Sequence, residues 1–196
     1  MPFMCYNFEM TAQSAELVRR FALSEPPPLP AKGELRPTDE ALTIGAGNQA
    51  VVLPWGIAAS WSARPLINAR AETLAEKKTF APLLANRCLV PATAYFEWRQ
   101  AGRSKLRNRI AAAGGGLVAL AGLIGEGRFT IVTCPPAPAI AHIHDRMPVI
   151  LARRAEEPWL DETHPFAEVS GLLTPYGEGL EWEEEKPSQP DLFGAG

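Results

Sequence analysis

The chain of 196 residues contains only three cysteines and no long apolar run. Cys5, Cys88 and Cys134 show no paired spacing, which argues against a disulfide framework and against a structural zinc site. A membrane-spanning helix needs about 18 or more consecutive apolar residues, and no segment of the sequence approaches that length. The first residues also lack the order of basic, apolar and small residues that is typical of a signal peptide. We therefore expect a cytoplasmic protein that does not enter a membrane.

The chain also lacks an overall excess of positive charge, because its net charge is -3. The charges are nevertheless unevenly distributed. Lys and Arg clearly outnumber Asp and Glu in residues 64–154, whereas residues 178–191 are mostly acidic. A basic middle segment followed by an acidic tail indicates an anion-binding face. Scattered charges on a solvated surface would give the same composition, so composition alone leaves both interpretations open.

Hydrophobic periodicity predicts few helices. One is expected over residues 12–22, with Thr11 as its N-cap, a second over 74–86, and a third begins at 156. The proline-rich segment 25–30 excludes helix and is interpreted as a stiff connector.

Strand-like runs bounded by turn residues dominate the middle of the chain. They occur at 51–53, 87–90, 94–98, 117–124, 128–134 and 147–151. Pro91 is expected to break the strand structure between the runs 87–90 and 94–98. Short strands and helices without βαβ spacing are typical of an α+β fold. We expect residues 1–176 to form one such domain, followed by a frayed acidic tail over 177–196.

Three polar clusters lie within this apolar middle. The first contains Asn68 and Arg70, the second places Glu97 inside an aromatic run, and the third contains His144. A carboxylate beside apolar side chains suits proton transfer near neutrality, and imidazole moves protons readily at physiological pH. Each cluster also has a structural interpretation, as a turn-capping amide, an ion-paired glutamate or a core histidine.

Cys5 follows Met4 directly, so a start at Met4, or removal of the preceding residues, would make Cys5 the N-terminal residue. A terminal cysteine carries a thiol and an α-amine whose ordinary pKa is roughly 7.7–8.0. The amine can condense with an aldehyde to an imine, and the thiolate can then close a five-membered thiazolidine ring on the same carbon. The alternative is a small buried hydrophobe, a common role of free cysteine.

Several segments occur in an order that resembles one protein family. They are PWGIAASW at 54–61, INARAET at 67–73, RCLVPATAYFEW at 87–98, LAGLIGEGRFTIVT at 120–133 and IAHIHDRMPVIL at 140–151. With a cysteine after a methionine near the start, they resemble the SOS-response-associated peptidase (SRAP) family over about residues 4–160. The resemblance implies a single α+β domain with a barrel-like bifurcated sheet and flanking helices. It also implies a DNA-damage-response protein that shields abasic sites by a thiazolidine DNA–protein crosslink and removes its own initiator residues as an autopeptidase.

The resemblance assigns chemical roles to four residues by their position in these motifs. Cys5 would be the nucleophile, and Asn68 would bind near the opened sugar and the terminal amine. Glu97 would be the catalytic carboxylate, and His144 would assist imine formation and crosslink reversal. No metal or organic cofactor is implied.

The resemblance also implies a partner, which is single-stranded DNA that contains abasic sites. DNA contacts would come from Arg70, Arg146, Trp55 and Trp61, the tryptophans by stacking on bases. Core packing is the alternative role of both tryptophans. We expect the protein to act as a monomer.

The chain departs from the family at its start, where Cys5, Tyr6 and Asn7 replace a Cys-Gly-Arg sequence and remove one arginine. A basic run further along the chain could supply the missing charge, or it could be a solvated hairpin. The run consists of Arg103, Lys105, Arg107 and Arg109. Two other functions stay open at this point. One is a thiol peptidase that uses Cys5 and His144, and the other is a single-stranded DNA-binding module that does not crosslink.

Overall fold

The computed structural model describes residues 6–29 and 33–185. Cys5, the expected nucleophile, lies outside these residues. The helices are α1 (Ser14–Phe21), α2 (Arg153–Leu160) and α3 (Phe166–Val169). The strands are β1 (Asn7–Glu9), β2 (Glu34–Leu35), β3 (Glu40–Gly45), β4 (Gln49–Pro54), β5 (Ile57–Ala59), β6 (Ser62–Leu66), β7 (Asn68–Arg70), β8 (Arg87–Ala92), β9 (Ala94–Ala101), β10 (Ser104–Ala112), β11 (Val118–Gly125), β12 (Arg128–Cys134), β13 (Met147–Pro148), β14 (Ile150–Leu151) and β15 (Leu180–Glu184).

The strands form two large sheets and one small hairpin. The five-stranded sheet has the order β15-β10-β9-β1-β2. The eight-stranded sheet has the order β13-β12-β11-β8-β3-β4, with β14 paired to β11 and β7 paired to β12, and β7 runs parallel to β12. The expected α+β class is confirmed, and within the described residues the strands divide between open sheets rather than closing one barrel.

The core follows from the apolar composition of the central strands. Every residue of β8 is buried, and so are nearly all residues of β11 and β12. Helix α2 packs against β8, because Trp159 Nε1 donates to the Cys88 carbonyl at 3.0 Å and the Arg87 Nε donates to the Trp159 carbonyl. Gly122 is required at the centre of β11, since a Cβ there would lie 2.8 Å from Cys88 Sγ.

Helix α1 confirms the expected first helix and buries Leu17 and Phe21. Thr11 is not its N-cap, because the cap position is Gln13, without a side-chain cap bond. The helix spans Ser14–Phe21 and is slightly shorter than the predicted range 12–22, because helix ends fray and caps shift by a residue or two.

The prediction of a helix over residues 74–86 is wrong. The segment forms successive turns, of which one is a short 3-10 helix at Ala81–Leu83. Pro82 explains the difference, because it has no N–H to donate and its ring disfavours a helical conformation in the residue before it.

Two further expectations about the strands are corrected. Pro91 does not break β8, which continues to Ala92 and pairs Pro91 with Ala119 on β11. Proline is tolerated there because β3 pairs with β8 at Ile44 and Leu89 only, so no ladder bond is lost on that side.

The described part of the acidic tail, residues 177–185, contains a strand where fraying was expected, since β15 pairs with β10 over Leu180 to Glu184. Leu180 is buried, and Arg99 holds Glu184 with an Nη2–Oε2 distance of 2.7 Å. Among the described residues, no helix is long and apolar enough to cross a membrane.

Candidate active site

The structure brings Glu97 and His144 together. Glu97 lies on β9, between β1 and β10 in the five-stranded sheet, and only 1% of the residue is exposed. His144 lies in the loop before β13, and its Nε2 atom is 4.0 Å from Glu97 Oε2. A buried carboxylate beside an imidazole forms a pair that can exchange a proton with a bound reactant after a small movement.

A backbone contact favours one proton position on His144. The Arg146 backbone N–H donates to His144 Nδ1 at 3.1 Å, so this contact uses the nitrogen as an acceptor. In the neutral ring it favours a proton on Nε2, the atom closest to Glu97. Burial lowers the pKa of His144, and the neighbouring Asp145 carboxylate partly opposes that effect.

A cavity of about 490 Å³ opens beside His144. Its lining includes Tyr6, Trp98, Gln100, Lys105 and Asp145. A second cavity, of about 540 Å³, is lined by Tyr6 together with Pro37, Thr38, Arg64, Pro65 and Ile67. Tyr6 therefore stands between the two cavities, and its position was not predicted from the sequence. The signal that could have revealed it is its adjacency to Cys5.

Strand β1 carries the start of the described chain to β9. Asn7 pairs with Phe96, the residue before Glu97, and Phe8 pairs with Tyr95. The main chain at Tyr6 consequently enters the sheet beside the strand that holds Glu97.

Asn68 and Arg70 lie on a different strand, β7. Asn68 pairs with Ile131 and Arg70 with Thr133 of β12. The Arg70 side chain is exposed, and within the described residues no carboxylate lies within ion-pair distance of its guanidinium. The neighbouring Glu72 binds another cation, Arg146, so Arg70 keeps an available charge.

Arg146 is held by the protein itself. Its side chain is 11% exposed, and both carboxylate oxygens of Glu72 accept from its guanidinium. Its Nη2 also donates to the Thr133 carbonyl at 2.8 Å. A DNA phosphate would have to displace Glu72 to reach this guanidinium, so the expected DNA contact of Arg146 stays a prediction.

The two tryptophans have opposite environments. Trp55 is fully buried, donates from Nε1 to the Ile67 carbonyl at 2.8 Å and stacks on Phe129 with ring centroids 6.3 Å apart. The expectation that Trp55 stacks on a base is therefore corrected, because a side chain without exposed surface cannot meet a base. Trp61 is 71% exposed in the turn of the β5–β6 hairpin and keeps the stacking role as a prediction.

The basic run on the β9–β10 hairpin is partly neutralised. Arg107 lies 2.8 Å from Glu34 and 2.6 Å from Glu185, and Arg109 lies 2.6 Å from Glu9. The Arg109 hydrogen bond lowers the pKa of Glu9. Two of the four basic residues in this run, Arg107 and Arg109, therefore form ion pairs within the fold.

The described cysteines are poor nucleophiles. Cys88 and Cys134 are buried, and burial raises the pKa of both thiols, that of Cys134 to about 12. Thiolate is the reactive form of cysteine, so neither thiol suits chemistry at neutral pH. In the part of the chain that the structure describes, no group of three or more His, Cys, Asp or Glu is arranged to hold a metal ion.

Comparison with known proteins places these features in a family. The model of the SOS response associated peptidase (SRAP) family matches residues 4–187. The abasic site processing protein YoqW of Bacillus subtilis (strain 168) is 33% identical over 199 residues, which cover 88% of this chain and 88% of that protein. The abasic site processing protein YedK of Escherichia coli (strain K12) is 34% identical over 128 residues, or 60% of this chain and 55% of that protein.

Solved structures show the same fold. A crystal structure of a protein from Bacteroides thetaiotaomicron superposes with a TM-score of 0.81 at 25% identity, covering 93% of this chain and 92% of that one. A protein from Bordetella bronchiseptica superposes with a TM-score of 0.81 at 23% identity, covering 93% of this chain and 100% of that one. On the family-model match over residues 4–187 and the 33% identity to YoqW, the chain belongs to the SRAP family.

Proposed function

We propose that this protein recognises abasic sites in single-stranded DNA and joins to them covalently through Cys5. Relatives at 33% and 34% identity are named abasic site processing proteins, which supports the substrate. The observation that carries the chemistry is the buried Glu97 carboxylate, 4.0 Å from His144 Nε2, beside a cavity that Tyr6 lines. Tyr6 follows Cys5 in the sequence, so the proposed nucleophile is bonded to a residue of the site.

The proposed reaction requires Cys5 to be the first residue, because its amine and thiol act on one carbon. The neutral amine adds to the aldehyde of the opened sugar and forms a carbinolamine. Protonation of the hydroxyl releases water, and loss of the remaining nitrogen proton leaves an imine. The thiolate adds to the imine carbon, and the nitrogen takes up a proton as the thiazolidine ring closes. One water leaves, and neither an oxidant nor a reductant is needed.

His144 and Glu97 divide the proton transfers in this scheme. His144 Nε2 delivers the proton to the leaving hydroxyl, since Nδ1 is engaged by the Arg146 N–H. Glu97 accepts a proton from the attacking amine and polarises it. Reversal of the crosslink uses the same steps backwards.

Exposure of Cys5 is the necessary first event. Either the chain starts at Met4, or hydrolysis of the Met4–Cys5 bond consumes one water and releases residues 1–4. In the second case we propose that Glu97 activates the hydrolysis, which would account for the peptidase activity in the family description.

DNA binding in this proposal comes from exposed groups that read no base edge. Arg70, an exposed cation, would contact a phosphate, and Trp61, which is 71% exposed, would stack on a base. Both contacts tolerate any sequence. We propose that one copy of the chain is sufficient for capture.

Three forms of the protein that begin at position 5 test the chemistry. They are the wild type, Cys5→Ala and the wild type acetylated on its α-amine. Each is incubated with an abasic oligonucleotide and run on a denaturing gel, with and without borohydride. The wild type should give a heat-stable adduct without reductant. Cys5→Ala keeps the amine, so it should give an adduct only after borohydride traps the imine, and the acetylated protein should give none.

The other outcomes identify the other functions. A heat-stable adduct from Cys5→Ala without reductant would contradict the thiazolidine. Turnover of peptides without an adduct would show a thiol peptidase, and DNA binding without any adduct would show a non-crosslinking module.

A further inference from the structure

Glu72 is connected to His144 through a single residue, Arg146. Glu72 follows β7 in the short 3-10 helix Ala71–Thr73, and it binds the Arg146 guanidinium through both carboxylate oxygens. The same guanidinium donates to the Thr133 carbonyl on β12 at 2.8 Å. These contacts fix Arg146 from two separate segments.

The backbone of Arg146 then contacts the imidazole. Its N–H donates to His144 Nδ1 at 3.1 Å, which requires a lone pair on that nitrogen. In the neutral ring this contact places the proton on Nε2, facing Glu97.

A second group favours the opposite proton position. Asp145 Oδ1 lies 3.0 Å from the same Nδ1 atom, and a carboxylate at that distance favours a proton on Nδ1. The Asp145 side chain is 78% exposed, so water weakens its pull. The tautomer of His144 is therefore decided by how firmly the Arg146 N–H is held against Nδ1.

We propose that Glu72 is a positioning residue that selects the Nε2–H tautomer of His144 by holding Arg146. The proposal rests on the proposed function, in which Nε2 delivers the proton. Without Glu72 the Arg146 main chain gains freedom, and the ring proton moves to Nδ1, which donates a hydrogen bond to the Asp145 carboxylate. Nε2 then presents a lone pair to the Glu97 carboxylate and has no proton to deliver.

The groups that face His144 define the variants needed for the test. Besides Arg146 they are Glu97 on β9, Asp145 on the same loop and Lys105 on β10. Asp145→Asn removes the competing carboxylate. Glu76→Ala is a matched control, because Glu76 is an exposed glutamate close to Glu72 in sequence, with no ion pair among the described residues.

The experiment is an NMR measurement of the ring nitrogens on protein that begins at Cys5, without DNA. Nitrogen-15 shifts distinguish the two neutral tautomers, and loss of one signal set in His144→Gln assigns the His144 ring. The wild type and Glu76→Ala should show the Nε2–H form. Glu72→Ala should shift the ring toward Nδ1–H, and adding Asp145→Asn to Glu72→Ala should restore the Nε2–H form.

Crosslinking kinetics give a second readout. Glu72→Ala should slow single-turnover adduct formation roughly 10-fold, less than the ~10²–10⁴ expected from loss of an acid–base group itself, and Asp145→Asn should recover the rate.

An unchanged Nε2–H tautomer in folded Glu72→Ala would overturn the proposal, and a simultaneous gain in DNA affinity would show that Glu72 only masks Arg146. If Glu72→Ala does not fold, Arg146→Lys breaks the same two-oxygen contact and is read in the same way. A wild type that forms no adduct would refute the proposed function, while the tautomer result still decides the role of Glu72.

Discussion

Glu97 and Glu156 are both buried carboxylates, but their partners differ in kind. Glu156 on α2 receives two hydrogen bonds from the Arg20 guanidinium, at 2.8 and 2.5 Å. Glu97 instead faces the imidazole of His144 at 4.0 Å. Arg20 is always charged, whereas a histidine can gain or lose a proton, and burial lowers the pKa of His144.

This difference separates a structural pair from a chemical one. The Arg20–Glu156 pair joins α1 to α2, and its geometry leaves no proton to transfer. The two groups of the Glu97–His144 pair lie further apart, and His144 lines a cavity, so the imidazole can change protonation as a reactant binds. Removal of one member should therefore cost stability at the first pair and reaction rate at the second.

The largest effect is expected from His144→Ala. It should slow adduct formation and adduct reversal by roughly 10²–10⁴-fold, the usual range for one acid–base group, with little change in final yield. Single-turnover crosslinking and release by strand exchange, on protein already trimmed to Cys5, measure both rates. Wild-type rates in the trimmed variant would remove His144 from the mechanism and make it a core histidine.

The effect of Glu97→Ala on the chemistry is also measured in protein already trimmed to Cys5, which separates it from any effect on self-cleavage. The substitution should slow the chemistry in trimmed protein and, where self-cleavage occurs, also block exposure of Cys5. A variant that fails to process but crosslinks normally after trimming would confine Glu97 to the cleavage step.

Glu156→Gln should produce the next largest effect, on stability alone. Breaking a buried ion pair from one side costs about 3–5 kcal/mol, because the remaining charge is left buried without compensation. Urea unfolding measures the loss in the free energy of unfolding. Under conditions where the variant is folded, its crosslinking rate should match the wild type. A slowed rate in fully folded Glu156→Gln would contradict the separation of the two pairs.

The pH dependence of stability offers a subtler comparison. Burial holds the pKa of His144 below its ordinary value. Between the folded-state pKa and about pH 6.5 the unfolded chain therefore binds more protons than the folded chain. This contribution to stability is complete above about pH 6.5 and is lost as the pH falls toward the folded-state pKa. His144→Gln should therefore give a shallower decline in unfolding free energy over this window. Parallel wild-type and variant curves would show that His144 titrates normally.

The smallest effect concerns an exposed cation outside both pairs. Arg70→Ala should weaken binding to single-stranded DNA equally for all sequences and lower the log–log salt slope by roughly 0.7, the value for one lost phosphate contact. Binding titrations at several salt concentrations measure the slope. An unchanged slope would make Arg70 a structural residue.

The sequence predicted which residues meet at the candidate site better than it predicted the contacts that hold them there. Glu97 and His144 occur in compact motifs that reveal them, even though they are far apart in the chain. The pairing of Arg146 with Glu72 spans 74 positions, and no local spacing predicts which of two nearby arginines a glutamate will choose. Trp55 and Trp61 share one short motif, and only the three-dimensional packing separates a core residue from an exposed one.

In the fold, too, local contacts were predicted better than contacts between distant segments. The strand-like runs at 117–124 and 128–134 predicted both strands of the β11–β12 hairpin, because this pairing is local. Strand β15 was expected to fray, because its acidic composition disfavours a strand in isolation. It forms by pairing with β10 along its whole length, and Arg99 and Arg107, distant in sequence, bind Glu184 and Glu185 beside that ladder.

Strand β15 has a consequence for how the protein behaves at high concentration. It is the outermost strand on one side of its sheet, where an uncovered strand offers hydrogen-bonding groups to another molecule. Its exposed Glu181 and Glu183 carry like charges along that border, so two copies repel one another there. Trimming the chain before Leu180 would uncover β10 and its buried Ile110, and the shortened protein should aggregate even with every site residue intact.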